Sequence, residues 1–354
     1  MRQNVLLCAL LLTLMAAQVS AQVQVLPAQR LSRWGITAAN YSGITPLGDG
    51  RYAVVSDKER MDGFYLWEIS QDSVSGDVTS VHPIEFRGES PVTTDGQGQS
   101  RKDFEGVVYV PLRGTLFISG EGNQEICEYT LDGMATGQSL NVPEALKQTY
   151  NNYGFEALAY DTLRHIFYTT TENCLTSDGK PAPVGSETTT LLRIQAFDDK
   201  LQPTYQWAYL LDAPQCGVKG RSHAHGVVAI TALPDGSLAV LEREVHITQD
   251  YNKSRVWNKL YLTCPDDTPS LSSSTLASEA RPLAMPKTLL TEWSTRFTLL
   301  GDTWANFEGM CLGQPTSDGR QTLILVSDSQ GGMGIGPFRL KDWIRVIVLP
   351  LFEP

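Results

Sequence analysis

Acidic residues recur along this chain in pairs, and each pair brackets a short stretch of apolar and turn residues. In two of the pairs the acids are sixteen residues apart, and two further copies carry serine or histidine in the first position. Carboxylates gathered in one place can bind a hard cation such as Ca²⁺, or act as general acids and bases. The predicted pairs are Ser42 with Asp57, Glu105 with Glu121, Glu156 with Glu172, His225 with Glu242, and Glu308 with Asp328.

Two β-type runs and a turn separate the members of each pair. In the second copy the runs are residues 107–111 and 115–119, and residues 112–114 form the turn. An antiparallel hairpin brings the residue before its first strand and the residue after its second strand to the same end. Each copy therefore presents two polar, mostly acidic side chains at one end of a hairpin.

A further strand-like run follows each hairpin, and a weaker outer strand completes a unit of four. Repeats of this length in an all-β chain usually close into a propeller around a central channel. We predict a single all-β propeller with five visible repeats, which gives five blades, or six if one is hidden in the long interval 225–308. Within that interval, residues 268–278 are rich in Ser and Thr and are expected to form a surface loop. Residues 23–31 are β-like and would close the ring by pairing with the last unit, so that the acids form a ring at one channel mouth.

Composition limits the classes of function. The 354 residues are 42% hydrophobic and 19% charged, as in an ordinary folded protein. The formal net charge of −11 and the pI near 5.0 argue against non-specific binding to nucleic acid or to anionic lipid.

The N-terminus has the pattern of an export signal. Residues 5–17 are apolar apart from Thr13, and the segment ending at Ala21 offers residues that a signal peptidase reads. We predict a signal peptide over residues 1–21 and one propeller domain over residues 22–354, exported to the periplasm or secreted. Because the apolar stretch is shorter than a membrane span, we expect a mature chain without an integral membrane segment. We also expect the protein to be a monomer.

Five cysteines follow the predicted signal, an odd number that cannot pair completely, and no CxxC motif occurs. Cys311 lies in a strand-like run and is expected to be a buried small hydrophobic residue. Cys174 and Cys216 could form a bridge in an oxidising compartment, although spacing alone does not decide this.

Several short motifs have a recognisable form. They are Asp-Phe-Glu-Gly at 103–106, Tyr-Gly-Phe-Glu-Ala-Leu-Ala at 153–159, Leu-Ala-Val-Leu-Glu-Arg at 238–243, and Asn-Phe-Glu-Gly at 306–309 followed by Leu-Ile-Leu-Val-Ser-Asp at 323–328. At these motifs, and from about Tyr41 to Gln330, the chain resembles the secreted phytase-like β-propellers, a family described as having an esterase-like activity of phytase. Ala157 stands where that family usually has glycine, and Ser329-Gln330 replaces its more typical Asp-Asn. The resemblance implies a propeller, calcium dependence, and hydrolysis of a phosphoester or an ester, and it leaves the substrate open.

The ring would concentrate negative charge. Two carboxylates about 7 Å apart repel by roughly 2 kcal/mol at an effective dielectric constant near 20. The acids must therefore hold protons, pair with Lys58, Arg60, Arg221 and Arg243, or bind cations. All-oxygen ligands suit Ca²⁺, whereas the scarcity of histidine and the absence of a thiolate cluster disfavour zinc. Alternatively, the acids only accept hydrogen bonds from turns and arginines. The predicted metal ligands are Asp57, Glu105, Glu121, Glu156, Glu172, Glu242, Glu308 and Asp328.

For catalysis, water activated by the metal would attack phosphorus while a cationic side chain holds the phosphoryl oxygens. Each candidate cation could instead form an ordinary surface salt bridge. The residues predicted to act in catalysis are Glu105, Glu156, His225, Arg243 and Arg60.

His225 replaces the acid of its repeat and lies two residues after His223, on the same side of a strand. The two histidines could supply a general base or a metal ligand, or they could form a hydrogen-bonded structural pair. Ser42 lies at the equivalent place in the first repeat, but no GxSxG motif surrounds it, so a serine-esterase mechanism is disfavoured.

The sequence thus predicts an exported, calcium-dependent hydrolase that acts on a small phosphorylated molecule at an acidic channel mouth. One alternative is a non-catalytic propeller that binds a ligand or partner there. Another is a metal-dependent lactonase or carboxylesterase that uses the same ring. A propeller can host all three functions, so the fold alone cannot decide among them.

Overall fold

Five antiparallel sheets make up the computed structural model, which describes residues 22–91, 94, 98, 100–249, 251, 253–297, 304–334 and 339–351. The predicted signal peptide, residues 1–21, lies outside the described residues. Each sheet is one blade, and its strands are numbered along the chain.

The strands have the following bounds. Two short N-terminal strands are β1 (Gln24–Val25) and β2 (Gln29–Arg30). Blade 1 consists of β3 (Tyr41–Gly48), β4 (Arg51–Ser56), β5 (Asp62–Gln71) and β6 (Val78–Glu89). Blade 2 consists of β7 (Phe104–Val110), β8 (Thr115–Gly120), β9 (Glu125–Thr130) and β10 (Ala135–Ser139). Blade 3 consists of β11 (Phe155–Asp161), β12 (Ile166–Thr171), β13 (Thr190–Phe197) and β14 (Pro203–Leu211). Blade 4 consists of β15 (Ser222–Ala232), β16 (Leu238–Ile247), β17 (Arg255–Thr263) and β18 (Lys287–Arg296). Blade 5 consists of β19 (Asn306–Leu312), β20 (Thr322–Asp328) and β21 (Trp343–Val348), completed by β1 and β2.

The first long strand of each blade lies innermost and contacts the corresponding strand of the next blade. This succession runs through β3, β7, β11, β15 and β19, and β19 contacts β3. The five blades therefore close around one channel, which confirms the predicted propeller and settles its blade number at five. Blade 5 is completed by the N-terminus, because Gln24 pairs with Val348 in β21 and Arg30 pairs with Trp343. The predicted closure by N- and C-terminal strands is confirmed.

The hydrophobic core lies between successive blades. Leu116 packs toward blade 1, whereas its neighbour Phe117 packs toward blade 3. Val240 and Leu241 divide in the same way between blades 3 and 5. Consecutive residues of a strand point to opposite faces, and both faces of a blade are covered by its neighbours. This burial explains why the inner strands are continuous apolar runs instead of alternating apolar and polar residues.

The long interval in the fourth repeat contains no sixth blade among its described residues. Its extra length lies between β17 and β18, where two 3₁₀ turns and a four-residue helix pack on the outer strand of blade 3. Leu271, in the predicted surface loop, is buried, and its N–H donates to the carbonyl oxygen of Gln206 at 2.7 Å. Among the described residues, the short helices are Leu31–Trp34, Glu144–Lys147, Pro265–Asp267 and Arg281–Leu283 (3₁₀) and Ala277–Ala280 (α).

Cys174 and Cys216 are both buried free thiols, so the bridge considered for them does not form in this structure. Cys311 is buried in β19, as expected from its apolar context. Among the described residues, no helix has the length and hydropathy that crossing a bilayer requires.

Candidate functional site

A β-bulge interrupts the inner strand of each blade at the same end of the channel, near the start of the strand in four blades and in the middle of β15 in blade 4. In blade 3, Phe155 pairs with Thr171 and Ala157 with Thr170, so Glu156 is the extra residue. The register shifts at the matching place in the other blades. Bulges re-aim a side chain relative to the regular ladder. The bulged residues are Ser42, Glu105, Glu156, Val228 and Glu308.

A second set of ring positions follows from the same registers. In each blade, the residue just before the bulge pairs with a residue of the second strand. The residue that comes next along the second strand has a polar side chain. In blade 3, Thr171 is that partner and Glu172 follows it. The residues in this second position are Asp57, Glu121, Glu172, Arg243 and Asp328. Seven of the eight predicted acids therefore lie at ring positions.

Blade 4 departs from the alignment made from the sequence. Its bulge is at Val228, since Val227 pairs with Glu242 and Ala229 with Leu241. The ring position is therefore Arg243, not Glu242, and the spacing from Val228 to Arg243 equals that from Ser42 to Asp57 in blade 1. A shift of one residue along a strand moves a side chain to the opposite face.

Glu242 accordingly lies outside the ring, between blades 3 and 4. Its carboxylate accepts a hydrogen bond from the Tyr209 hydroxyl at 2.8 Å and forms an ion pair with Lys287 Nζ at 2.5 Å. Burial raises the pKa of Glu242, and Lys287 opposes that rise. This acid has its own partners on the far face of β16.

The ring carboxylates form two groups of three that share Glu105. One group joins Glu105 to Asp57 and Asp103, and the other joins it to Glu121 and Glu156. Within each group, one oxygen from each acid lies within 4.8 Å of the other two. Oxygens bound to one Ca²⁺ at 2.3–2.6 Å cannot be more than about 5 Å apart, so both groups have the spacing of a cation site.

Asp103 was not predicted as a ring residue. It precedes the bulged Glu105 by two positions, and Asn40 and Asn306 have the same relation to Ser42 and Glu308. The recurring pattern of Asn or Asp, an aromatic residue and the bulged residue is the signal that could have identified them. Asp103 has a φ of 53°, a left-handed conformation that Asp tolerates better than most residues.

Arg243 is a buried cation within this ring. Its Nη2 lies 2.8 Å from Glu172 Oε1, and its Nη1 lies 3.5 Å from Glu308 Oε1 and 3.2 Å from Asn306 Oδ1. Burial would lower its pKa, but Glu172, Glu308 and further ring acids raise it, so the guanidinium stays charged. Its Nε is buried and has no hydrogen-bond partner among the described residues.

Burial and mutual repulsion raise the pKa of the ring acids. Burial is the largest cause that holds the pKa of Glu105 well above its usual range, and repulsion from Glu156 is the next largest. Burial followed by Glu172 does the same for Glu156, and burial followed by Glu308 does so for Asp328. The pKa values of Glu172 and Glu308 are raised to about 7 by burial, although Arg243 opposes the shift. In the absence of a cation, the ring therefore holds protons near neutral pH.

The donor set fits a hard cation. Asp57 Oδ1 and Asp103 Oδ1 are buried without a hydrogen-bond partner among the described residues. Unsatisfied buried carboxylate oxygens are costly, and a coordinated cation would satisfy them. The described members of both groups offer only carboxylate oxygens, the ligand chemistry of Ca²⁺ and Mg²⁺.

The segment after Asp328 orders one side of the ring. The N–H of Gln330 donates to Asp328 Oδ1 at 2.5 Å, and its side-chain amide contacts the other carboxylate oxygen. Ser329 Oγ instead donates to Asp342 Oδ2 and to the Ala39 carbonyl oxygen, both at 2.9 Å. These are the two residues that replace the more typical Asp-Asn. Gln330 holds the Asp328 carboxylate of the ring, and Ser329 links Asp342 to the Ala39 backbone.

Other predicted catalytic residues lie away from the carboxylates. His225 is buried on the far face of the β15/β16 hairpin, where burial lowers its pKa to about 4. His223 Nε2 lies 2.9 Å from Glu244 Oε1 on that face. Arg60 is exposed in the turn after β4, and Arg221 stacks on Tyr251 with its guanidinium carbon 5.0 Å from the ring centroid.

The two ends of the channel differ in chemistry. The end opposite the acids has a cavity of about 600 Å³ lined mainly by apolar residues of the inner strands, among them Leu47, Val108, Leu163 and Leu312. A second cavity, of about 460 Å³, lies beside the ring and has Arg243, Glu308 and Asp328 in its walls. A third cavity, of about 780 Å³, has Asp57 and Lys58 in its walls. Charge, unsatisfied oxygens and space for a ligand therefore coincide at the acidic mouth.

Several solved structures are similar to this chain over most of its length. Among solved structures, the chain is similar to an α-L-arabinanase from Penicillium chrysogenum complexed with arabinobiose, with 12% identity, coverage of 91% of this chain and 98% of that chain, and a TM-score of 0.42. It is also similar to a PQQ-bound aldose sugar dehydrogenase from Streptomyces coelicolor (14% identity, 92% and 98% covered, TM-score 0.39) and to a streptogramin B lyase (14% identity, 92% and 97% covered, TM-score 0.36). At these TM-scores none of the three supports an argument about this chain.

No curated protein sequence matches the chain. One family model does match, over residues 36–330, and it is described as phytase-like, with esterase-like activity of phytase. The match takes in all five bulges and every ring position, from Asn40 to Asp328. The chain therefore belongs to the phytase-like family.

Proposed function

We propose that this protein is an exported, calcium-dependent hydrolase that cleaves a phosphoester at the acidic mouth of the propeller. The observation that carries the proposal is the pair of three-carboxylate groups that share Glu105, each with the spacing of a cation site. Export is proposed from the signal-like residues 1–21. Mass spectrometry of the chain from an exporting host should find Gln22 as its first residue.

The residues that would hold Ca²⁺ are those with unsatisfied or closely spaced oxygens. Bound there, the cation would bring an anionic substrate to an acidic protein and polarise its phosphoryl oxygens. The proposed ligands are Asp57, Asp103, Glu105, Glu121 and Glu156.

Arg243 is proposed to orient the substrate. Its terminal nitrogens are occupied by Glu172, Glu308 and Asn306, whereas Nε has no partner among the described residues, and the residue lines the cavity beside the ring. A guanidinium held rigidly by carboxylates presents its free N–H to a phosphoryl oxygen with little loss of entropy.

A ring carboxylate would also move the proton. In hydrolysis the water oxygen bonds to phosphorus, the bond from phosphorus to the ester oxygen breaks, and the water proton passes to the departing alcohol. Glu105 and Glu156, the predicted catalytic acids, both lie in the second three-carboxylate group, and we propose that they transfer this proton as well as hold the cation. General acid–base catalysis of this kind contributes about 10²–10⁴-fold to the rate.

Carboxylester hydrolysis is the second candidate, and the family description, esterase-like activity of phytase, is what favours it. The same ring could polarise an ester carbonyl oxygen in place of a phosphoryl oxygen. The two reactions are separated by substrate, not by fold.

The test measures calcium binding and hydrolysis on the purified mature chain. We expect calcium-dependent release of 4-nitrophenol from its phosphate, and a loss of about 100-fold or more in Glu105→Gln and Glu156→Gln. Glu242→Gln is the matched control, because Glu242 is a buried acid that the register places outside the ring. Turnover of the acetate but not the phosphate would select the esterase, and no turnover of either, with calcium bound, would leave a binding propeller.

A further inference from the structure

Blade 4 has an inner hairpin that extends past the ring. Pairing of β15 with β16 continues to Ser222 and Ile247, four residues beyond Arg243. In the other blades the second strand ends at or just before its ring acid, at Ser56, Gly120, Thr171 and Asp328. The extension therefore forms a wall on one side of the acidic mouth.

One face of this wall is apolar and continuous with the ring. Alternate residues of a strand share a face, so Val245 and Ile247 lie on the same side of β16 as Arg243. Across the cavity, Phe297 and Trp304 stack with ring centroids 4.6 Å apart and an angle of 9° between planes. All five residues line the cavity of about 460 Å³ beside the ring.

The base of the same cavity is charged. Arg243, Glu308 and Asp328 are each at least nine-tenths buried and line it. The buried Nε of Arg243 has no partner among the described residues and supplies a donor for an oxyanion. At the rim, Tyr251 is half-exposed and carries the Arg221 guanidinium over its ring.

The dimensions suit a ligand with two chemically different parts. An apolar cavity of about 150 Å³ accommodates benzene, and ligand pockets usually measure about 300–1,000 Å³. The space is therefore sufficient for one aromatic ring and a phosphoryl group. A molecule with phosphates all around its ring would have to place charge against Val245, Ile247 and the aromatic pair, which is unfavourable.

We infer that the cleft between the extended hairpin and the Phe297–Trp304 stack binds the apolar group of the substrate. The substrate is then an aryl phosphomonoester, with its phosphoryl group on the ring and its aromatic ring in the cleft, and not an evenly charged polyphosphate. This inference deepens the proposed phosphoester hydrolysis and rests on it for the identity of the head group.

The test compares two non-hydrolysable ligands with the same head group, phenylphosphonate and methylphosphonate, by calorimetry in the presence of calcium. Burial of a phenyl ring should make phenylphosphonate bind about 10-fold more tightly or better. In Val245→Thr/Ile247→Thr this preference should largely disappear, while methylphosphonate affinity stays unchanged. Ile84→Thr, the same type of exchange on an exposed position of β6, is the matched control and should keep the preference.

Benzyl alcohol, which has no anionic head group, separates the two claims. Its binding is followed by the indole signal of Trp304, assigned with Trp304→Phe. Equal affinity for both phosphonates would overturn the cleft and leave the proposed function intact. A shift of the Trp304 signal by benzyl alcohol without binding of either phosphonate would support the cleft and overturn phosphoester hydrolysis. Silence with all three ligands would overturn both.

Discussion

Arg243 occupies a ring position at which the other four blades carry an acid. A buried guanidinium among carboxylates is stabilising only while its partners remain, because desolvation of both charges is costly. Removing Arg243 would leave Glu172 and Glu308 facing each other without a cation between them. The arginine therefore performs part of the charge compensation that the proposed calcium ion would perform on the other side of the ring.

We expect Arg243→Met to lower the free energy of unfolding by about 3–5 kcal/mol in the presence of a chelator. Added calcium should restore part of this loss, because a cation can then neutralise the carboxylates that have lost their partner. Arg193→Met is the control: Arg193 is buried and paired with Asp178 in blade 3, so calcium should not rescue it. Denaturant titration with and without calcium measures both, and an equal loss for Arg243→Met in the two conditions would contradict the idea.

At the residue scale, the sequence predicted most of the ring because a hairpin relates its two acids by a nearly fixed spacing. It could not locate the bulge in blade 4, where Val228 carries no charge to mark the position. The predicted ring position, Glu242, was therefore one residue before the observed position, Arg243. Asp103 was not predicted because it lies in the loop before β7, whereas the prediction used only the two ends of each hairpin.

At the scale of elements, close packing of the inner strands limits which residues can follow a bulge. Gly106 is next to the bulged Glu105, and a Cβ there would lie 2.7 Å from the Glu156 carbonyl oxygen and 2.8 Å from Leu158 Cβ. The backbone of blade 3 cannot withdraw without moving its own bulge. The spacing between blades 2 and 3, and hence the Glu105–Glu156 contact, depends on this missing side chain.

Gly106→Ala should therefore lower stability by about 1–3 kcal/mol, as overpacking does, and weaken calcium binding. Gly217→Ala is the matched control, since a Cβ at Gly217 would meet no atom within 4 Å. Its effect on stability should stay within about 0.5 kcal/mol. Melting temperatures with a calcium titration give both quantities, and unchanged calcium affinity in Gly106→Ala would show that blade spacing does not control the ring.

The hairpins themselves were predictable from alternating β-type runs and turns, and the extended hairpin of blade 4 was not. The sequence of residues 243–247 is typical of an ordinary continuation of a strand. No local feature of that sequence indicates that these residues extend beyond the ring. The long insertion between β17 and β18 was also ambiguous, because the burial of Leu271 and Ala280 depends on contacts with blade 3.

At the scale of the whole molecule, the ring couples stability to pH. Glu172 and Glu308 have pKa values raised from 4.5 to about 7 by burial. Between these two values the folded protein holds protons that the unfolded chain has released. The stability of the calcium-free protein should therefore fall as pH rises from 4.5 to 7.

Calcium should counteract this loss, since it replaces the protons on the ring. We expect chelation to lower the melting temperature much more at pH 8 than at pH 5, and added calcium to restore it. Scanning calorimetry across this range provides the measurement. A calcium-free protein that becomes more stable between pH 5 and pH 7 would show that the ring acids are not protonated.

The closure of the ring was predictable because each repeat carries its own pattern of strands, and the same pattern limited the number of blades to five or six. The even burial of both blade faces was not, since it appears only once five sheets surround a common axis. A near-continuous apolar run such as β16 could have belonged to other buried sheets until its neighbours were known.

The last sheet is built from both ends of the described chain, and this affects how the protein can fold during its synthesis. β1 and β2 are synthesised first, yet their partner β21 emerges only after almost the whole chain. During synthesis, four sheets can form in order, while the fifth must wait for β21 and leaves unpaired strand edges open to other chains. Maturation should thus finish in a single late step, and nascent chains stalled before β21 should be substrates for proteases or chaperones.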